Sequence, residues 1–251
     1  MTVFKTAGET VESSSPTSKE VLSASVKRDG CKAPVVAIDP GHNPVETAEF
    51  DPITGVAMRD YSNGAEDEDT MQVSLRTKRS LERDGYEVVL LKRSVNENVT
   101  YRERVTRAEK AGADIGVSVH TYTDDHRVFP QRVGLFREGV GANGKHTRVE
   151  FKNAATAAKS LQYSTAVAKA RTQVEGQPVL VTDNSFNGRA PLWPGNIPMI
   201  ALISEDIPWV YNEFGVPGAG GSVPIGEAGV KTYAEGLTKG IKAALPNTCG
   251  N

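Results

Sequence analysis

From residue 34 onward the chain alternates short apolar runs with longer stretches of helical period, and that alternation leaves few architectures open. "PVVAID" (34–39), "YEVVLLKR" (86–93) and "ADIGVSVHT" (113–121) have the length and β-branched content of buried strands. Between them, residues from about Asp67 to Asp84 place Met71, Leu75, Lys78 and Leu81 on one helical face, and Gly85 provides a stop. "TYRERVTRAEKAG" (100–112) reads as a second helix, with Thr100 as its cap. A fourth strand is expected in "RVGLFRE" (132–138), a long helix over 152–174 and a further buried strand in "PMIALISED" (198–206). A closing helix is expected in "GEAGVKTYAEGLTKGIKAAL" (226–245). The pattern predicts an α/β fold in a single domain, with a mainly parallel twisted sheet and helices on both faces.

Residues 43–65, broken by Pro44, Pro52, Gly55 and Gly64, read as a long loop, and long ordered loops usually have a task. This one either shields the site or is a plain insertion. Residues 1–30 contain "TAGETVESSSPTSKE", too polar to bury a core, and are expected to be a flexible tail ahead of a domain at 31–251. Such a tail is what removal of a targeting segment leaves behind, although a cytosolic protein can carry one too. There is no apolar signal-peptide core in it and no run near the roughly 20 apolar residues of a membrane span. A net charge of −2 argues against a nucleic-acid partner. The basic cluster "LRTKRSLERDG" is interleaved with acids and reads as a solvated helix face. Cys31 and Cys249 bracket the folded part; a disulfide between them fits an oxidising compartment, and two independent thiols fit the same spacing.

Parallel strands carry their functional groups beyond their C-terminal ends. "VVAIDPGH", "ADIGVSVH" and "MIALISE" therefore bring His42, His120 and Glu205 to one edge of the sheet, with Glu66 just ahead of the helix near Asp67. Two of only four histidines end apolar strands. Two histidines and a carboxylate with one open position is a zinc hydrolase arrangement, in which a further carboxylate, here Glu205, serves as general base. The plainer alternative is structural histidines in an unrelated α/β protein. Asp39 is expected to orient His42 or its turn. His126 and His146, in polar surroundings, read as solvated, Arg189 as a surface residue, and Trp193 and Trp209 as groove wall or simple packing.

Taken in order, the motifs resemble the zinc-dependent N-acetylmuramoyl-L-alanine amidases of the type-3 amidase family over roughly residues 34–245. "DPGH" at 39–42 is similar to the family's opening "DPGHGG", with Asn43 in place of a glycine. "NGAEDEDTMQVSLRTKRSLERDG" supplies the glutamate opening the first long helix, with Glu66 favoured over Glu68 by its interval to Gly85, and "VSVH" resembles the strand that ends in the second histidine ligand. "IALISEDIPWVYNE" is matched to the catalytic-glutamate segment, although the family usually has "ELGF" or "ETGF" where this chain has "EDIPW". The resemblance implies that His42, Glu66 and His120 bind Zn2+ and that Glu205 activates water. It implies a peptidoglycan hydrolase that cleaves between N-acetylmuramic acid and the L-alanine of the stem peptide. A monomeric, secreted autolysin of the cell envelope, periplasmic or extracellular, follows as an expectation, with an activator protein as an open question. The rivals are a zinc peptidase acting on another peptidoglycan bond and a non-catalytic or regulatory wall-binding protein on the same fold.

Overall fold

In the computed structural model, residues 31–121, 126–184, 193–216 and 223–249 are described. β1 (Val35–Pro40) leads into a hairpin of β2 (Thr47–Phe50) and β3 (Ala57–Asp60), followed by α1 (Ala65–Arg83), β4 (Glu87–Leu90), α2 (Tyr101–Lys110) and β5 (Ile115–Thr121). Next come β6 (Arg127–Pro130), a second hairpin of β7 (Phe136–Val140) and β8 (His146–Glu150), and the long α3 (Ala154–Glu175). The short β9 (Leu180–Val181), α4 (Met199–Ile203), β10 (Trp209–Phe214) and α5 (Gly226–Ala244) complete the order.

Six strands form the central sheet in the order β4-β1-β5-β10-β6-β9. β4, β1, β5 and β10 are mutually parallel, β6 runs antiparallel to β10, and β9 pairs parallel to β6. Every residue of β1 and β5 is buried, as expected for strands covered on both faces. Alternate side chains feed two cores. Val36, Ile38, Val117 and Val210 pack under α1, α3 and α5, while Ala37 and Trp209 pack with residues of α2, α4 and both hairpins. Trp209 fits because Gly116, its cross-strand neighbour, has no side chain; a Cβ there would stand 2.2 Å from the indole.

The helices carry the signals that set their ends. Thr100 and Glu103 form a reciprocal capping box on α2, and Asn153 caps the first turn of α3. The Cys31–Cys249 disulfide forms, with the two Cα atoms 5.5 Å apart. No helix among the described residues is long and apolar enough to cross a membrane. The proposed tail at 1–30 and Arg189 lie outside the described residues.

Three sequence expectations are corrected. The run at 198–206 is not a strand: Met199–Ile203 forms α4, with all five residues buried. A short apolar run satisfies a buried helix turn as readily as a buried strand, and period alone does not separate them. The sheet strand expected at 132–138 is instead β6 at Arg127–Pro130, and β7 belongs to a separate hairpin with β8. The stretch 43–65 is not irregular throughout, since β2 and β3 pair within it.

Candidate metal centre

Of the four groups expected at one edge of the sheet, His42, Glu66 and His120 lie together. Because β1 and β5 are parallel neighbours, the turn after β1 and the end of β5 lie at one edge of the sheet. Gly41 donates its backbone N–H to Val119 O at 3.0 Å, which draws the turn against β5. A Cβ at Gly41 would stand 2.5 Å from His120 Cε1, so the His120 ring fills the space that only glycine leaves.

His42 follows with a φ of 60°, a left-handed conformation uncommon outside glycine and kept where surroundings over-determine it. Those surroundings are specific. Its carbonyl accepts hydrogen bonds from Lys92 Nζ at 2.8 Å and Arg104 Nη2 at 2.7 Å. Its Nδ1 donates to Tyr61 O at 3.1 Å, which fixes the tautomer and leaves Nε2 facing Glu66 Oε2 at 3.2 Å. The segment 43–65 thus holds the site: its hairpin ends in Asp60 and Tyr61, both against the His42 ring.

Arg104 of α2 organises this corner. Fully buried, it donates to Asp39 Oδ1 at 2.8 Å, Pro40 O at 2.8 Å and Asn43 Oδ1 at 2.9 Å, and it pairs with Asp60 Oδ2 at 3.3 Å. Asp39 also accepts from Ser118 Oγ at 2.8 Å, so it braces the turn beneath His42 as expected. Burial, with Arg104 adding to it, lowers the Lys92 pKa.

The run of four acids at the start of α1 separates into distinct tasks. Glu66 is buried between the histidines, with Oε1 3.1 Å from His120 Nδ1 and also accepting from Thr121 N at 2.9 Å. Asp67 accepts from Ser62 Oγ and Asn63 N, closing the turn before the helix. Glu68 is exposed. Asp69 accepts from Ile225 N at 2.9 Å, which docks the entry of α5. Burial opposes charge on Glu66 and on His42, but the hydrogen bonds of Glu66 with His120 and His42 prevail. They hold the Glu66 carboxyl well below its ordinary range, and with Asp60 they raise His42 well above its own.

Ligand atoms of His42, Glu66 and His120 all lie within 4.8 Å of one another, so one small cation can touch all three. Two imidazoles and a carboxylate, with the His42 tautomer fixed from behind, suit zinc and leave a coordination position open.

Glu205 does not join them. It is exposed in the connection between α4 and β10, ahead of the end of β10 where Trp209 pairs with Gly116. His120 lies four residues further along β5, about 13 Å away at the usual strand rise, so Glu205 stands at the wrong edge of the sheet. The carboxylate at the right edge is Glu213, paired in register with His120. Two residues earlier on the same face, Tyr211 stacks on the His120 ring, with centroids 4.4 Å apart. Arg171 donates to the Glu213 carbonyl at 2.7 Å and to Asn212 Oδ1 at 3.1 Å, fixing the strand end that carries it. The signal was present: Trp209, Tyr211 and Glu213 alternate with Val210, Asn212 and Phe214 ahead of Gly215, a strand ending in a carboxylate.

Of the remaining candidates, His146 is exposed as expected. His126 is instead buried, its Nδ1 2.6 Å from Glu175 Oε2 and its Nε2 3.2 Å from Gly215 O. Trp193 and Trp209 are buried as packing residues.

An open, mostly parallel sheet with two histidines and a glutamate converging at its C-terminal edge is an arrangement suited to a metal-dependent hydrolase of the α/β class. The chain belongs to the N-acetylmuramoyl-L-alanine amidase family, whose model (Amidase_3) matches residues 36–187. These are hydrolases of the bacterial cell wall. No curated protein sequence matches the chain. Among solved structures, the amidase Ami1 of Mycobacterium smegmatis is similar at a TM-score of 0.57 and 18% identity, over 84% of this chain and 96% of that one. The catalytic domain of the amidase CwlV of Paenibacillus polymyxa matches at 0.52 and 17%, over 83% and 96%. The CwlD amidase of Clostridioides difficile, solved in complex with the GerS lipoprotein, matches at 0.50 and 13%, over 84% and 98%. At these identities the likeness is one of fold.

Proposed function

We propose that His42, Glu66 and His120 hold a zinc ion and that Glu213 is the general base for hydrolysis of the amide between N-acetylmuramic acid and L-alanine. The observation carrying this reading is the register of β10 on β5, which sets a carboxylate beside the His120 ligand at the edge where the other ligands gather. Zinc there supplies a polarised scissile carbonyl and a water acidified toward neutrality. The Glu213 carboxylate takes the proton from the attacking water and returns it to the L-alanine nitrogen as the C–N bond breaks. Tyr211, stacked on His120, keeps that ring from rotating away from Glu66.

Mass spectrometry of a muramoyl-peptide digest tests the assignment. Glu213→Gln should lose about 100-fold or more in rate, the usual contribution of a general base, while keeping one zinc per chain. Glu205→Gln should keep the parent rate, and a chelator should abolish release of the L-alanine stem peptide. Full activity in Glu213→Gln, or its loss in Glu205→Gln, would sink the assignment.

The site of action that fits a disulfide is the oxidising envelope outside the cytoplasm. One structural relative is solved in complex with a lipoprotein, which supports a protein activator for this chain. A rate on purified sacculi that rises when envelope lipoproteins are added back would establish one.

A further inference from the structure

The basic cluster of α1 is a solvated face, with Arg79 and Arg83 exposed, and it borders a groove. This groove of about 650 Å³ runs between α1 and α5, lined by Arg76, Arg79, Arg83, Lys231, Lys239 and Lys242 against only the acids Asp84 and Glu235. This concentration stands on a chain whose net charge is −2. Arg76 pairs with Glu227 at one end and Lys242 with Asp84 at the other, so the two helices run in the same direction along the groove. Arg83 and Lys242, in the last turns, have an ordinary role in meeting the helix dipoles. Arg76, Arg79 and Lys231 lie away from those termini and are not explained that way.

We infer that this groove binds one strand of a phosphodiester-linked, base-free polymer of the bacterial envelope. The guanidinium groups at 76, 79 and 83 follow one side of α1, and guanidinium forks match phosphate oxygens. From Lys231 to Lys242 the opposite wall extends about 16 Å at helical rise, room for several successive phosphates. The uncharged lining is Ser80, Ala234 and Thr238. It offers no aromatic platform for stacked bases and no apolar pocket for peptide anchors. A groove accepts a strand, whereas a membrane presents a plane. The ion pairs already present are solvent-exposed, so a phosphate displaces their carboxylates at little cost. Arg76 lies ten residues beyond Glu66 on α1, about 15 Å along the helix, so a bound strand holds the catalytic edge close to the polymer's own wall.

The test is fluorescence polarisation of a labelled glycerol-phosphate oligomer with the full chain, read without catalysis so that it stands apart from the zinc-site reading. The log of the binding constant should fall against log salt with a slope of about −2, as for about three single-strand phosphates. Arg79→Glu with Lys231→Glu should weaken binding at least tenfold, with the thermal melt of each variant checking its fold. Lys110→Glu with Lys159→Glu, an equal charge change on exposed positions elsewhere, should leave binding within twofold. Equal loss in both pairs would reduce the effect to net charge and overturn the proposal. So would no binding of the oligomer, or binding of phosphatidylglycerol vesicles in its place.

Discussion

Arg104 ties together segments that the sequence keeps far apart: the turn after β1, the end of the β2–β3 hairpin and its own helix. Replacing it with methionine leaves the Asp39 and Asp60 carboxylates buried without their cation. A loss of about 3–5 kcal/mol is the usual result of breaking a buried pair from one side. A denaturant titration should show the midpoint fall and zinc retention fall with it. Gly41→Ala makes the complementary test of space. Its Cβ would drive into the His120 ring, so zinc content should drop well below one per chain even where the fold survives. An alanine variant that keeps full zinc would show the ring has room to move. His42, Glu66 and His120 were legible because each sits at the end of an element whose apolar pattern is plain. Glu213 was hidden because a more uniform apolar run at 198–206 offered a competing strand end, and nothing local distinguishes that run from a buried turn of helix.

At the scale of elements, an ion pair at its turn clamps the β2–β3 hairpin to α2. Arg102 of α2 donates Nε to Asp51 Oδ1 at 2.7 Å and Nη2 to Asp51 Oδ2 at 2.9 Å, and the Asp51 side chain is fully buried. Asp51→Asn should loosen the hairpin that presents Asp60 and Tyr61 to His42, seen as faster amide exchange at 47–60. Unchanged exchange would show that β2 and β3 hold themselves. A second link joins the segment after β4 to α2 through Glu97, whose carboxyl accepts from Arg93 and Arg107. Hydrogen bonds from Arg93, with Arg107 assisting against partial burial, depress Glu97 from an ordinary 4.5 to about 2. A depressed acid stabilises the fold above its unfolded pKa and loses that contribution as pH falls through the folded one. The melting-temperature gap between the parent chain and Glu97→Gln should therefore be steady above about pH 5 and close as pH approaches about 2. A gap that persists at the acid end would assign it to packing. Helix ends were legible from caps and glycines, whereas the hairpins were not, because their strands are short and mostly half-exposed.

For the whole molecule, the mainly parallel sheet and its two covered faces follow from alternating apolar runs, and those were plain in the chain. The strand order was not, since β10, last in sequence, inserts beside β5 rather than at an edge. The disulfide closes a separation of 218 residues, which the chain-entropy relation values at about 5 kcal/mol. Cys31→Ser should lower the melting temperature, and reductant should lower that of the parent chain to match while leaving the variant unmoved. A variant as stable as the parent would place the restraint in packing instead. With Cys31 bonded to Cys249, the folded region is a covalent ring. A protease must then cut it twice to release a fragment. One nick in an exposed connection leaves a single molecule, its halves joined through the bond and through the shared sheet, and still able to close around the same histidines.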